Sequence, residues 1–186
     1  MKDRIKVILV DDHAVVRAGF RMLLSTEDTI EVIAEAERGE QQRWYLLLLD
    51  SLQGDPGTAC IVVCCHHSPY TNSTVVEASD EVANEFIPPF IASSKCLLFL
   101  SGHSHNLERF KEKGKDFLVI GGGGGSRHRL LRGADRYWTD VSPERKPLFH
   151  YVIIERHGKS LHLSVRQLQE GFHGVEDGYS FVVGGE

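Results

Sequence analysis

The stretch KVILVDDHAVVRAGFRMLL, residues 6–24, is an apolar run that stops at Asp11-Asp12-His13 and resumes as an amphipathic segment. Residues 5–10 are continuous and rich in β-branched side chains, the pattern of a strand buried on both faces of a parallel sheet. Val15, Val16, Phe20, Leu23 and Leu24 then fall at helical spacing over 14–25, and IEVIAEA (30–36) alternates like a strand. The first forty residues therefore read β-α-β, and the turn between strand and helix carries the chemistry. Two adjacent carboxylates can hold a hard cation such as Mg²⁺, whereas Asp11-x-His13 offers an oxygen and a nitrogen to a transition metal. The rest of the chain has to favour one of these.

At 186 residues the chain can build one good-sized core, or one domain and part of another. A hydrophobic fraction of 41%, 25% charged residues and a net charge of −5 give no electrostatic reason to seek nucleic acid or an anionic membrane, so neither is an expected partner. No apolar run approaches the roughly 20 residues that span a bilayer, and the first strand meets Asp11 too soon for a signal peptide. The chain as written is expected in the cytoplasm. Cys60, Cys64, Cys65 and Cys96 lack C-x-x-C spacing and read as buried thiols, because an adjacent pair strains a disulfide.

From Gln41 the pattern changes. QQRWYLLLLDSLQGD fits a helix or a strand, and Gly54-Asp55-Pro56-Gly57 is a firm turn. ACIVVCC is a central-strand candidate followed by the polar loop HHSPYTNS, and EVANEFIPPFIASSK a helix broken around Pro88-Pro89. CLLFLSG is another buried strand with HSHNLERF as its following loop. DFLVIGGGGG, LFHYVIIERHGKSLHLSVRQL and YSFVV read as strands, with a hairpin at His157-Gly158-Lys159. An α/β chain thus ends β-rich, with no internal repeat.

Of the ten histidines, His66, His67, His103 and His105 stand in polar loops directly after apolar strands, where open α/β sheets place ligands. Imidazole is the commonest side-chain metal ligand, and two histidines at i and i+2 in one loop can serve neighbouring ions. His128, His150, His157, His162 and His173 lack paired spacing and read as ordinary residues, although His150 lies where a substrate pocket could reach. Gly121–Gly125 lacks the Lys-Ser/Thr of a P-loop and reads as a tight turn leaving a strand.

These residues resemble a known family. SGHSHNLERF (101–110) looks like the G-H-x-H signature of the calcineurin-like metallophosphoesterases, and HSPYTNS (67–73) is similar to the H-x-P loop of their purple acid phosphatase branch. QQRWYLLLLDSL is similar to the Gln-x-x-Trp-Leu helix before that loop, FLVIGGGGGSRHR to the glycine-rich segment after G-H-x-H, and 148–168 to the closing strands. The resemblance covers about 41–183. It implies two metal ions (Zn, Mn or Fe), with His67 and His103 on one, His105 on the other, and His66 a strand-end neighbour. It also implies a phosphate ester substrate, for which Asn72 and Arg109 are contact candidates. The family's G-D-x-x-D and G-N-H-[DE] ligands have no equivalent here; only Gly54-Asp55 echoes the first.

Under that resemblance Asp11 and His13 are further metal candidates, as the missing D-x-H. Yet the 36 residues from Ile5 to Glu40 resemble the start of response-regulator receiver domains, in which Asp11 and Asp12 would hold Mg²⁺. Such a domain also needs a phosphoacceptor at the end of its third strand, and Asp50 is the nearest candidate, only ten residues after Glu40. The expected architecture is α/β: a receiver-like β-α-β segment (1–40) joined near Gly39-Glu40 to the distal half of a metallophosphoesterase sandwich (41–186). The expected function is metal-dependent phosphoester hydrolysis, impaired by the missing N-terminal ligands. The alternatives are a receiver-type Mg²⁺-binding module and an inactive hybrid fragment.

Overall fold

A computed structural model describes residues 5–10, 14–36, 41–144, 147, 149–169, 171 and 173–185. The chain runs β1 (Ile5–Val10), α1 (Ala14–Leu24), β2 (Ile30–Ala36), α2 (Gln41–Gly54) and β3 (Ile61–Cys65). A π-helical turn (Val82–Phe86) leads into α3 (Ile87–Ala92), then β4 (Cys96–Ser101), β5 (Leu107–Glu112) and β6 (Lys115–Ile120). After a short 3₁₀ turn (Gly133–Asp135), β7 (His150–His157), β8 (Ser160–Leu168) and β9 (Val175–Gly184) close the chain.

Six strands form one sheet in the order β2-β1-β3-β4-β6-β5, parallel except for the edge strand β5. β7, β8 and β9 form a separate antiparallel sheet. The α/β reading with a β-rich end therefore holds. β3 explains the layering: Ile61 and Val63 face a core shared with Tyr45, Leu49 and Leu52 of α2 and Phe90 of α3. The intervening Val62 faces a second core with Leu161, Leu163 and Val165 of β8. A strand buried on both faces has no polar alternation, which is why IVVCC reads as one apolar run. The first core is aromatic at its centre, with Phe90, Phe99 and Phe117 ring centroids 5.3–5.9 Å apart.

Three local readings resolve or change. The segment from Gln41 is helical, and its Tyr45 hydroxyl, fully buried, donates to the Phe86 carbonyl. Pro88 and Pro89 stand in the first turn of α3, where a missing N–H costs nothing, so they start that helix after the π turn. The loop after β4 ends at Asn106; the LERF that follows is strand, turned back into β6 by Lys113 and Gly114, both at positive φ as a tight hairpin requires.

α1 departs from its apolar spacing. Its buried residue is Arg17, and Arg17 and Arg21 both pair with Glu35 of β2. Val15, Phe20 and Leu23 are exposed, and Leu24 joins the second core from its margin. Among the described residues no helix is long and apolar enough to cross a membrane.

Candidate metal centre

Three parallel strands end at one level. Val10 of β1 pairs with Cys65 of β3, and Cys65 with Ser101 of β4, so the chain leaves the sheet side by side at these points. β1 is flanked by β2 on one side and β3 on the other, which makes the carboxyl edge between β1 and β3 the switch point where open sheets bind ligands. Asp11, Asp12 and His13 follow Val10 and lie outside the described residues. From β3 the chain enters His66-His67, and from β4 it enters Gly102-His103, with the Gly102 N–H donating to the His66 carbonyl at 3.0 Å.

The result is a cluster. One ring nitrogen each from His66, His67 and His103 lies within 4.8 Å of the other two. The ring centroids are 5.0 Å apart for His66–His67, 5.1 Å for His66–His103 and 4.6 Å for His67–His103. His103 adopts φ 60°, a left-handed conformation that non-glycine residues hold only when their surroundings impose it. Burial, then the neighbouring His67 and His66 rings, lower the His103 pKa, so the imidazole stays neutral with a lone pair to give.

His105 stands apart from this cluster. Its Nδ1 lies 3.0 Å from the Ser126 carbonyl, which can only accept, so Nδ1 carries the proton and Nε2 the lone pair. Its ring stacks on His128 with centroids 4.4 Å apart. The His128 Nδ1 in turn faces the His105 backbone N–H at 3.3 Å and the Ser73 hydroxyl at 3.4 Å. Two donors on that nitrogen leave the proton on Nε2, so His128 holds the His105 backbone and ring in place. Burial and the His105 ring lower its pKa. The sequence reading took His66 as a strand-end neighbour and His128 as ordinary; in the structure His66 shares the cluster and His128 stacks on His105. The adjacency of Arg127-His128 to the glycine run was the available signal for the second.

The two loops are held together by Glu108, fully buried at the start of β5. Its carboxylate accepts from the Thr71 hydroxyl at 2.7 Å and from the Asn72 N–H at 2.8 Å. Both substrate-contact candidates turn out to be structural. Asn72 is buried, and its side-chain amide exchanges two 3.0 Å hydrogen bonds with the Trp138 backbone. Arg109 is buried in an ion pair with Asp116 (Nε–O 2.7 Å, Nη2–O 2.6 Å), donates to Tyr179 Oη at 2.7 Å and stacks over Phe181.

The glycine run is a packing device. A Cβ on Gly121 would stand 1.9 Å from the Ser104 carbonyl oxygen, one on Gly122 2.1 Å from the His150 ring, and one on Gly125 2.3 Å from the His105 ring. Hydrogen-sized residues are therefore required for the segment to pass between the histidines. Asp50 sits in α2 with its side chain exposed, and the residue after β3 is His66, so the candidate phosphoacceptor is not at a strand end. None of the four cysteines is in a disulfide; Cys60 and Cys96 are buried, Cys64 and Cys65 partly so.

As a ligand set, three imidazoles fit one divalent ion with coordination positions to spare. Among the described residues no carboxylate joins this cluster.

No family model matches the chain. An uncharacterized transcriptional regulatory protein of Bacillus subtilis, YhcZ, is 34% identical over 99 residues, which is 48% of this chain and 45% of that protein. The chain thus spans less than half the length of this relative. A match over 48% of the chain takes in residues beyond Glu40 wherever it lies. Among solved structures, GAP50, the anchor in the inner membrane complex of Plasmodium, matches 73% of this chain and 41% of its own with 11% identity and a TM-score of 0.50, a likeness of fold alone. Wild-type Vps29 of Entamoeba histolytica, complexed with Zn²⁺, matches 95% of this chain and 98% of its own at 14% identity and a TM-score of 0.37.

Proposed function

We propose that the chain is a metal-dependent phosphoesterase of the calcineurin-like type, acting on phosphate mono- or diesters with low turnover. The observation that carries this reading is the convergence of His67 and His103 from two adjacent strand ends, where the H-x-P and G-H-x-H patterns place ligands. A bound ion supplies Lewis-acid polarisation of a phosphoryl oxygen and acidifies water. The chain's own contributions are the two ligand loops, their clamp on Glu108, and the Nε2 lone pair of His105 in the second of those loops. Turnover is low in this reading because the family's bridging carboxylate and amide ligands have no counterpart in the sequence.

The test is hydrolysis of p-nitrophenyl phosphate and its bis ester by protein stripped of metal and reloaded with Zn²⁺ or Mn²⁺. Metal-dependent turnover abolished by His67→Ala and by His103→Ala supports the reading; turnover unchanged in both variants sinks it.

A receiver-type signalling role, with Mg²⁺ at Asp11 and Asp12, is the second reading, favoured by the Bacillus subtilis match across 48% of the chain. It predicts an acid-labile adduct after incubation with acetyl phosphate, seen by intact mass. An inactive hybrid gives neither turnover nor adduct.

A further inference from the structure

We infer that His157 and His162 form a second metal site, on the outer face of the β7–β8 hairpin, which takes a first-row transition-metal dication and binds Cu²⁺ most tightly. It shares no residue with the cluster at the strand ends and does not rest on the phosphoesterase reading.

The hairpin makes the pair. Taken one by one along the sequence these histidines are ordinary, but β7 and β8 run antiparallel with His157 opposite Ser160 and Glu155 opposite His162. His157 and His162 are therefore diagonal neighbours on one face, within reach of each other's side chains. Their rings meet, with centroids 4.2 Å and planes 35° apart. Two imidazole nitrogens on one ion at about 2.1 Å stand about 3.0–3.4 Å from each other, so rotations about the side-chain bonds turn this contact into chelation. The backbone already holds both rings in place. Leu161 and Leu163 are buried in the second core, and strand alternation sends His162, between them, to the opposite, exposed face. The same alternation along β7 exposes Glu155 and His157. Gly158 closes the turn at φ 62°, and the Ser160 hydroxyl donates to the His157 carbonyl at 2.8 Å. Such preorganisation leaves only side-chain freedom to be lost on binding.

The ligand type selects the ion. Imidazole nitrogen suits Cu²⁺, Ni²⁺ and Zn²⁺, with affinity highest for Cu²⁺, and gives Mg²⁺, which prefers oxygen, little to bind. Glu155, directly across from His162, adds an exposed carboxylate whose charge favours any cation held there. Water can fill the remaining coordination positions on so open a face. An ion bound by both rings ties β7 to β8 beside their turn.

The test uses the whole chain, ¹⁵N-labelled and stripped of metal, titrated with Cu²⁺ to two equivalents while amide correlation spectra record paramagnetic broadening. Broadening is expected at the amides around His157 and His162 and at Val182, which faces His162 from β9, whether or not the loops at 66–67 and 102–105 also respond. A large excess of Mg²⁺ should not reverse it. His157→Gln and His162→Gln should each abolish the hairpin signal over the same titration. Both positions are exposed, and an otherwise unchanged spectrum separates a lost ligand from a lost fold. No broadening at the hairpin by two equivalents, or broadening there that survives in both variants, overturns the inference. The phosphoesterase reading stands on other residues, so neither result touches it.

Discussion

The hydroxyl of Thr71 donates a 2.7 Å hydrogen bond to the carboxylate of Glu108, thirty-seven residues away and fully buried. That contact joins the loop carrying His67 to the strand that follows His105. A buried carboxylate that accepts from a hydroxyl and a backbone N–H is matched in both geometry and polarity. Glu108→Gln puts an NH₂ against one of those donors. The expected cost is about 2–3 kcal/mol, the range for losing hydrogen bonds to a charged group with its partner left buried. Urea denaturation of metal-free protein reads it, and weaker Zn²⁺ uptake should accompany it as the two loops lose register. A midpoint equal to wild type would show that the loops are held by something else.

The glycine run can be dissected by position. Gly121→Ala forces a methyl into the Ser104 backbone and is expected to cost about 1–3 kcal/mol or more, as overpacking does. A methyl on Gly123 would meet nothing within 4 Å, and the residue has no positive φ, so Gly123→Ala should be neutral or stabilise by about 0.5 kcal/mol. Thermal unfolding of the two variants side by side checks this; equal effects would argue against close packing as the reason for the glycines.

His150 makes stability depend on pH. Burial first, and the Arg127 guanidinium second, push its pKa from 6.5 down to about 4, and neither ring nitrogen has a hydrogen-bond partner. Between those values the unfolded chain binds a proton that the folded chain does not, so stability is full above pH 6.5 and falls as the pH drops toward 4. The contribution of this one group amounts to about 2 kcal/mol lost between pH 7.5 and pH 5. His150→Leu should flatten that part of the profile without lowering stability at pH 7.5, since it removes two unpartnered nitrogens. Urea midpoints at the two pH values decide, and an unchanged slope in the variant would assign the effect to other groups.

Arg109 separates a structural arginine from a substrate-binding one. Arg109→Leu leaves Asp116 buried without its main partner and is expected to cost about 3–5 kcal/mol. Any phosphatase activity in the folded fraction should keep the wild-type KM. A raised KM with unchanged stability would return Arg109 to the substrate site.

Much of the fold was legible because local patterns coincide with what the sheet demands. IVVCC and CLLFLS are apolar without alternation, and only a strand covered on both faces suits such a run. The histidine loops were legible for the same reason: polar residues after a buried strand must lie at its edge. α1 was misleading, because helical spacing of apolar residues does not say which face meets the sheet. There, Arg17 is turned inward and pairs with Glu35, as does the exposed Arg21. Asn72 and Arg109 misled in the opposite sense. Their polar side chains suggested a ligand, and the structure shows them engaged by the Trp138 backbone and by the Asp116 carboxylate across the β5–β6 hairpin.

By itself the sequence determined the strand-end placement of His66, His67, His103 and His105 and the α/β character of the chain, since both follow from the order of apolar and polar residues. Only the tertiary structure decided which histidines share a site. Pairing of Cys65 with Ser101 sets the two loops at one level, the Gly102–His66 hydrogen bond brings His66 in, and the Ser126 carbonyl holds His105 out. The register of Cys65 with Ser101 is a long-range property, fixed between residues thirty-six apart, and no short window of sequence contains it.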